Sequence, residues 1–403
     1  MKILVSNIGS TSFKFRLFDI AGGQERELAS GSADRIGGTG GALKVQVPGR
    51  AAETGSVEFA DHGAAIWRVL ERLTAAGVIE ATGGVDAVAF KAVVGGELPA
   101  VTRVDEKVLA EMERLAPVGP AHNPPYVRAM RMFREALPGV AMVACFEMGF
   151  HRTNPARRRA YAVPAEWERH GVRRYGYHGA SHRYVAWRIS QVQPRARWII
   201  SCHLGGSSSL CAIREGQSVA TSMGLSPQSG LPQSNRVGDF DVYGVKLMMS
   251  ATGKTFDGLL EELGNRGGLA ALSGTSGDMR DIQQAAAAGD ERAKLALEVF
   301  VTSVRDYLGA YLVELGGADA IVFTGGIGEN NPGLRAAICE RLEFAGIELD
   351  AAKNESAKGE ARIDGSRSRT AIWVMPTNEE LIVARQAAEY LGDGRGKVKN
   401  VPA

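Results

Sequence analysis

Near the start of the chain, apolar and polar positions fall into two short runs separated by a polar knot. Ile3 to Val5 is apolar. After NIGSTS (7–12), Phe13, Phe15 and Leu17 alternate with Lys14, Arg16 and Phe18. Period two is strand spacing, so the stretch predicts a β-hairpin whose tip offers Ser10, Thr11, Ser12, backbone amides and Lys14. Both familiar glycine-loop patterns that hold phosphate require a helix directly after the loop, and none follows here. Turns favour the same residues, so alone this hairpin is equally an ordinary turn, but the chain repeats it. WIISCHLGGSSSLCAIR (198–214) is again an apolar strand, a glycine and serine tip, and a returning apolar strand. Setting Asn7 on His203 puts Gly9 on Gly205 and Ser12 on Ser208, an offset of 203 − 7 = 196 in a chain of 403 residues. Two halves opening alike predict a duplicated fold with a nucleotide in the cleft between them, each tip addressing phosphate.

Elsewhere strand and helix patterns alternate, which argues for α/β architecture. Strands are expected near Val85 to Ala92 and Val140 to Phe146, and GGTGG (37–41) reads as a connection between strands. The clearest helix runs from Asp290 to Leu315 with a stripe of Leu297, Val301, Val304, Leu308 and Leu312, capped by Asp290 and stopped by Gly316-Gly317. AIVFTGGIGEN (320–330) is a third candidate ligand loop: an apolar strand, glycines that admit close backbone approach, then Glu329 and Asn330 at the opening of a helix.

Composition changes the picture little. The 403 residues suggest two or three domains, and 47 basic against 45 acidic side chains leave a net charge of +2, which implies no nucleic-acid partner. The densest basic stretch, Arg152 to Arg188, carries no recognition motif and reads as a solvated face with a few anion-binding residues. Cys145, Cys202, Cys211 and Cys339 lack C-x-x-C spacing, so neither a zinc site nor a disulfide framework is indicated. The first residues do not resemble a signal peptide and no apolar segment approaches membrane-spanning length; a cytoplasmic protein without a membrane partner is expected. Six of the seven histidines, His122, His151, His170, His178, His182 and His203, fall between 122 and 203. His178 and His182 are spaced as a metal pair, yet no H-E-x-x-H pattern or third ligand accompanies them.

Nine ordered motifs carry a family resemblance: NIGSTSFK, AHNPP (121–125), RYGYHGASHRYV (174–185), CHLGGSSS (202–209), TSMGLSP (221–227), NRVGD (235–239), SGDMRD (276–281), TGGIGEN (324–330) and MPTNEEL (375–381). Nearly end to end, the chain resembles the acetate and propionate kinase family of the actin-like ATPase superfamily. The resemblance implies two duplicated actin-like, ribonuclease H-like domains, and reversible phosphoryl transfer from ATP to a short-chain carboxylate with magnesium. It implies that Asn7 and Glu379 attend magnesium, that Ser10, Ser12 and Lys14 form the first phosphate loop, and that His203, Leu204, Gly205, Gly206 and Ser207 form the second. Asp278, Met279 and Arg280, with Gly326, Ile327, Gly328, Glu329 and Asn330, would hold the nucleoside. His178 and Arg236 match transition-state stabilisers, His122 a phosphate-side histidine, and Glu147 an essential carboxylate. A carboxylate is already an anionic nucleophile, so alignment and charge neutralisation are the main requirements. A homodimer is also implied.

Departures from the family concentrate on the acyl side. Lys91 stands for an arginine that binds the substrate carboxylate, keeping charge but losing the planar fork. Glu147 stands for an aspartate, and its extra methylene moves the carboxylate by about 1.5 Å. Val94 replaces a histidine, and Gly206-Ser207 alters the second loop. The substrate pocket corresponds to Val93, Ala121, Tyr177 and Pro227, where Ala121 replaces leucine and Tyr177 phenylalanine, giving a roomier and more polar expectation. Three readings stay open: an acetate kinase; a kinase for propionate, butyrate or a larger or hydroxylated acid; and a nucleotide-binding regulatory protein with weak transfer. The expected domains are 1–149 plus 381–403, and 150–380.

Overall fold

The computed structural model describes residues 1–9, 11–80 and 84–392. Their contacts divide the chain into two compact units: Met1–Phe150 with the segment that begins at Asn378, and His151–Thr377. Ser10 and the basic tail lie outside the described residues.

The first unit is built on an eight-stranded sheet. Its strands are β1 (Lys2–Ile8), β2 (Ser12–Ala21), β3 (Gln24–Asp34), β4 (Ala42–Gln46), β5 (Glu53–Ser56), β6 (Ala87–Ala92), β7 (Val101–Arg103) and β8 (Ala141–Phe146), in the order 5-4-3-2-1-6-8-7. β1 to β5 form an antiparallel meander, whereas β6 joins β1 and β8 joins β6 in parallel. The expected alternation in β2 holds for Phe13, Phe15 and Leu17, which are buried while Lys14 is exposed. Phe18, expected on the other face, is buried too (2 % exposed). Helices cover both faces: Phe13 and Phe90 pack edge-on against Phe133 of the helix Asn123–Ala136, and on the opposite face Cys145 meets Val383 of the helix Glu379–Tyr390. A sheet covered twice keeps little of its polar alternation.

The second unit repeats the plan with six strands, β9 (Trp198–His203), β10 (Ser209–Arg214), β11 (Gln217–Thr221), β12 (Ala320–Thr324), β13 (Ala361–Arg362) and β14 (Ala371–Val374), ordered 11-10-9-12-14-13. β9, β10 and β11 are antiparallel neighbours, and β12 and β14 add in parallel. The order β3-β2-β1-β6-β8 therefore recurs as β11-β10-β9-β12-β14, and the duplicated α/β fold read from the hairpins is present. Its main helix is Glu291–Leu315, with Asp290 accepting the Arg292 and Ala293 amides and Gly316 closing it at φ 78°. Its buried stripe is Ala293, Ala296, Phe300, Val304, Leu308, Tyr311 and Leu315. Leu297, Val301 and Leu312 flank it, half-buried, because the bulkier Phe300 and Tyr311 take the centre. Among the described residues, no helix is long and apolar enough to cross a membrane.

Candidate active site

In the first unit the site begins at the β1–β2 tip, where Asn7 pairs with the exposed Lys14. Gly9 donates its amide to Ser12 O at 2.8 Å, and His62 Nε2 meets Gly9 O at 3.0 Å, so the turn is held from both sides. Tyr126 accepts the Ile8 amide (3.2 Å) and donates its hydroxyl to Asn7 Oδ1 (3.3 Å). Lys91, on β6, forms an ion pair with Glu379, the first residue of the helix Glu379–Tyr390. Their side chains are only 18 % and 12 % exposed. Burial alone would lower the Lys91 ammonium pKa, but the carboxylates of Glu379 and Glu147, with smaller help from Tyr126 and Glu380, outweigh it and hold the group above the ordinary lysine value. Burial pushes Tyr126 up to about 12. Glu147, buried, opens the 3₁₀ turn that follows β8.

The remaining candidates of this unit sit at one strap. His122 is half-buried at the N-terminus of the helix Asn123–Ala136, Ala121 before it is exposed, and Val93 is half-buried. Asn123 ties them to Lys91's segment: its side-chain amide donates to Val94 O (3.0 Å) and Met112 O (2.8 Å) and accepts from Val94 N (3.3 Å).

Magnesium can be tested against these donors. Asn7, Glu147 and Glu379 supply hard oxygen atoms, the type that magnesium selects, and the Lys91 ammonium already stands as a cation in the field of both carboxylates. Among the described residues no cluster of three or more His, Cys, Asp or Glu could hold a metal ion. A cation here would therefore complete its shell with water or phosphate, as magnesium does. The residues fit that ion.

In the second unit the tip of the β9–β10 hairpin gathers the candidates. The hairpin closes one residue sooner than its counterpart, pairing His203 with Ser209 (209 − 203 = 6) where the first pairs Asn7 with Lys14 (14 − 7 = 7). His178 caps the helix Gly179–Val192 with φ 56°, a left-handed conformation costing a non-glycine residue about 1–3 kcal/mol. Its ring stacks on His203 (centroids 4.3 Å apart, 29° between planes), and Nδ1 lies 2.8 Å from Ser209 Oγ. Gly176, two residues earlier, must be glycine: φ is +79°, and a Cβ would come within 2.4 Å of Thr221 Cγ2. Arg236 donates to Gln233 Oε1 (3.1 Å) and Ser207 Oγ (3.3 Å), and burial lowers its pKa. Gln233 also accepts from Ser207 Oγ (2.6 Å) and donates to Pro227 O (2.7 Å). Tyr177 is buried, and its hydroxyl donates to Leu225 O at 2.5 Å. That hydroxyl is already satisfied within the fold, so the expected gain in pocket polarity from Tyr177 is not seen.

The nucleoside candidates meet this tip through backbone. Leu204, fully buried, donates its amide to Thr324 O (2.8 Å) and accepts from Ile327 and Gly328 (2.9 and 3.1 Å). Gly325 at φ +78° lets the helix Gly325–Asn330 lie on it, where a Cβ would meet Leu204 O at 2.6 Å. Glu329 accepts the Gly325 amide (2.9 Å) and burial raises its pKa; Asn330 donates to Gly326 O (2.9 Å). Gly206 O accepts from Ser234, whose carbonyl packs on Gly277, beside Asp278. Asp278, half-buried, caps the helix Met279–Ala287, and the exposed Arg280 guanidinium holds its pKa down to about 2, while Met279 is in the core. Met279 and Leu204 thus have backbone rather than side chain to offer a ligand.

Sequence reasoning missed Tyr126, Asn123, Gln233 and Ser209. Tyr126 and Asn123 follow His122 within one helical turn, and Ser209 ends the CHLGGSSS motif, so adjacency was the available signal. Gln233 had none, because its role depends on folding Arg236 back onto it.

The acetokinase family matches residues 2–385. An acetate kinase of Natranaerobius thermophilus is 40 % identical over 399 residues, covering 97 % of this chain and 100 % of the relative. A propionate kinase of Citrobacter rodentium is 42 % identical over 393 residues, covering 95 % of each. The crystal structure of Porphyromonas gingivalis acetate kinase superposes with a TM-score of 0.86 at 34 % identity, covering 97 % of this chain and 99 % of that one.

Proposed function

This chain belongs to the acetokinase family, and from that premise we propose that it transfers the terminal phosphoryl group of ATP to a short-chain carboxylate, acetate foremost, giving ADP and an acyl phosphate reversibly. The observation that carries the reading is the β9–β10 tip, which gathers His178, His203 and Arg236 beside a glycine and serine loop. Arg236 donates to Gln233 Oε1 and Ser207 Oγ, which orient the guanidinium. His178 and Arg236 stabilise negative charge on the oxygens of the transferring group, the largest requirement in phosphoryl transfer. In the first unit Lys91 orients the acid, with Val93 and Ala121 along its acyl side.

Asn7 and Glu379, with Glu147, would hold magnesium, which when bound neutralises phosphate charge. Ser12, Lys14 and the amides of the first tip bind phosphate; the segments at 278–280 and 326–330 hold the nucleoside through their backbone. We assign the protein to the cytoplasm on its four buried cysteines, which form no disulfide. We also assign it a homodimeric state, with the exposed apolar residues Val242, Tyr243, Leu247, Phe256 and Leu260 meeting a second copy; sedimentation as a monomer at micromolar concentration would overturn that assignment.

The test is ATP-dependent acyl phosphate formation, trapped as the hydroxamate, over acetate, propionate, butyrate and small hydroxy acids with magnesium. Turnover with one of them supports the kinase and identifies its acid. Nucleotide binding without turnover on any acid would overturn it in favour of a regulatory role.

A further inference from the structure

Behind His178 lies a chain of polar groups that phosphoryl transfer itself does not use. Ser209, the first residue of β10, is fully buried, and its hydroxyl lies 2.8 Å from His178 Nδ1 and 2.9 Å from His182 Nε2. His182, also fully buried one helical turn beyond His178, places Nδ1 2.9 Å from Ser201 Oγ on β9. Three hydrogen bonds thus run in series: Ser201, His182, Ser209, His178.

A hydroxyl has a single proton, so between two imidazole nitrogens it donates to one and accepts from the other. His182 is neutral. Burial holds its pKa well below the ordinary histidine value, and the other titratable groups facing it, His151 from the 3₁₀ turn Glu147–Thr153 and His203 from β9, push the same way. Only two arrangements satisfy all three bonds. In one, Ser201 donates to His182 Nδ1, His182 Nε2–H donates to Ser209, and Ser209 donates to His178 Nδ1, so that neutral His178 carries its proton on Nε2. In the other every bond reverses: His178 Nδ1–H donates to Ser209, Ser209 donates to His182 Nε2, and His182 Nδ1–H donates to Ser201. A doubly protonated His178 is compatible with the second arrangement alone. The two arrangements hold the same number of protons; between them each hydroxyl rotates, and each imidazole loses a proton from one nitrogen to water and gains one from water at the other.

We propose that Ser209 and His182 are positioning residues that act as a tautomer switch, setting which nitrogen of His178 bears the proton presented to the transferring phosphoryl group. The inference rests on the kinase reading of His178. It also accounts for the left-handed φ of His178, since the Ser209 bond and the stack on His203 over-determine that conformation. Among the groups facing His178 in this unit are Ser209 from β10, His203 from β9 and His182 from its own helix. A charge on His203 would oppose one on His178 at a 4.3 Å centroid separation.

The experiment uses the full chain labelled with ¹⁵N-histidine. Long-range ¹H–¹⁵N spectra report the protonation of each ring nitrogen without requiring turnover, with His178 assigned by its loss in His178→Gln. In the wild type, as pH falls, His178 should become protonated on both nitrogens while neutral His182 changes from the Nε2–H to the Nδ1–H tautomer. In Ser209→Ala that linkage disappears, the His178 titration moves by about one pH unit, and kcat falls about 10- to 100-fold with the KM for ATP within about twofold. Ser209→Thr, which keeps the hydroxyl, should restore both the linkage and kcat. An unchanged His178 tautomer and pH profile in a folded Ser209→Ala protein would overturn the switch, as would a Thr variant that behaves like Ala. A wild-type protein inactive on every acid would instead overturn the kinase reading, and the spectra would still report on the linkage.

Discussion

Replacing Lys91 by methionine removes one charge at nearly constant volume. The ammonium sits against Glu379, with Glu147 adding to the same field. Two unit charges about 4 Å apart attract by about 4 kcal/mol at an effective dielectric of about 20, and breaking a buried pair from one side destabilises a protein by about 3–5 kcal/mol. Here the side chains are 18 % and 12 % exposed, so solvent relieves part of the strain and about 2–3 kcal/mol is expected. Urea unfolding at pH 7.5 and low salt, followed by far-UV circular dichroism, measures the loss. The double variant Lys91→Met/Glu379→Gln removes the stranded charge along with its partner and should recover about 1–2 kcal/mol relative to the single change. A single variant within about 0.5 kcal/mol of wild type, or a double variant no better than the single one, would refute the claim that this pair is a buried, mutually dependent unit.

The same residue tests specificity: Lys91→Arg with Glu147→Asp should raise kcat/KM for acetate while lowering it for any acid the present residues prefer, and equal losses on all acids would count against both readings. His151 is fixed by Tyr177 O and Ser218, and burial depresses its pKa from 6.5 to about 4. The unfolded chain therefore takes up this proton first as pH falls, so its contribution to stability is present above pH 6.5 and is lost toward pH 4, on the order of 3 kcal/mol at the lower end; His151→Gln should flatten that limb of a urea-midpoint profile. Gly176→Ala should destabilise by about 3 kcal/mol through φ and overlap, whereas Gly309→Ala, exposed in the long helix with nothing within 4 Å, should stabilise by about 0.5–1 kcal/mol in thermal denaturation.

Repetition made the fold legible. One glycine and serine hairpin is a common turn, but the same hairpin 196 residues on predicted a duplicated fold; the shared strand order of the two sheets was not in that reading. The long helix was legible in extent because Asp290 and Gly316 bound it, but its buried stripe was displaced by one position, since Leu297 and Val301 read as apolar in sequence regardless of which face the larger Phe300 and Tyr311 claim. Phe18 was misplaced because period-two reasoning assumes one wet face, and the helix Glu379–Tyr390 covers the part of that face where Phe18 lies, leaving Lys14 exposed. At the site, residue types carried over by motif, but their partners did not. Tyr177 announces a polar group in sequence, and only folding brings Leu225 O to its hydroxyl; Gln233 announces nothing until Arg236 is beside it.

The helix Glu379–Tyr390 closes the sheet of the first unit, burying Ile382, Val383 and Ala387, pairing Arg385 with Glu25, and receiving the Arg103 amide on the Tyr390 hydroxyl at 3.2 Å. A ribosome makes the strands of that sheet before this helix, with the whole of His151–Thr377 in between. Domains generally finish in the order in which they emerge; in this chain the second unit has all its strands before the first has its final helix. The nascent chain therefore carries an uncovered apolar sheet face for as long as residues 151–377 are being made. A truncation ending at Phe150 would arrest it in that state, and adding the helix back as a separate peptide should be what restores a folded first unit.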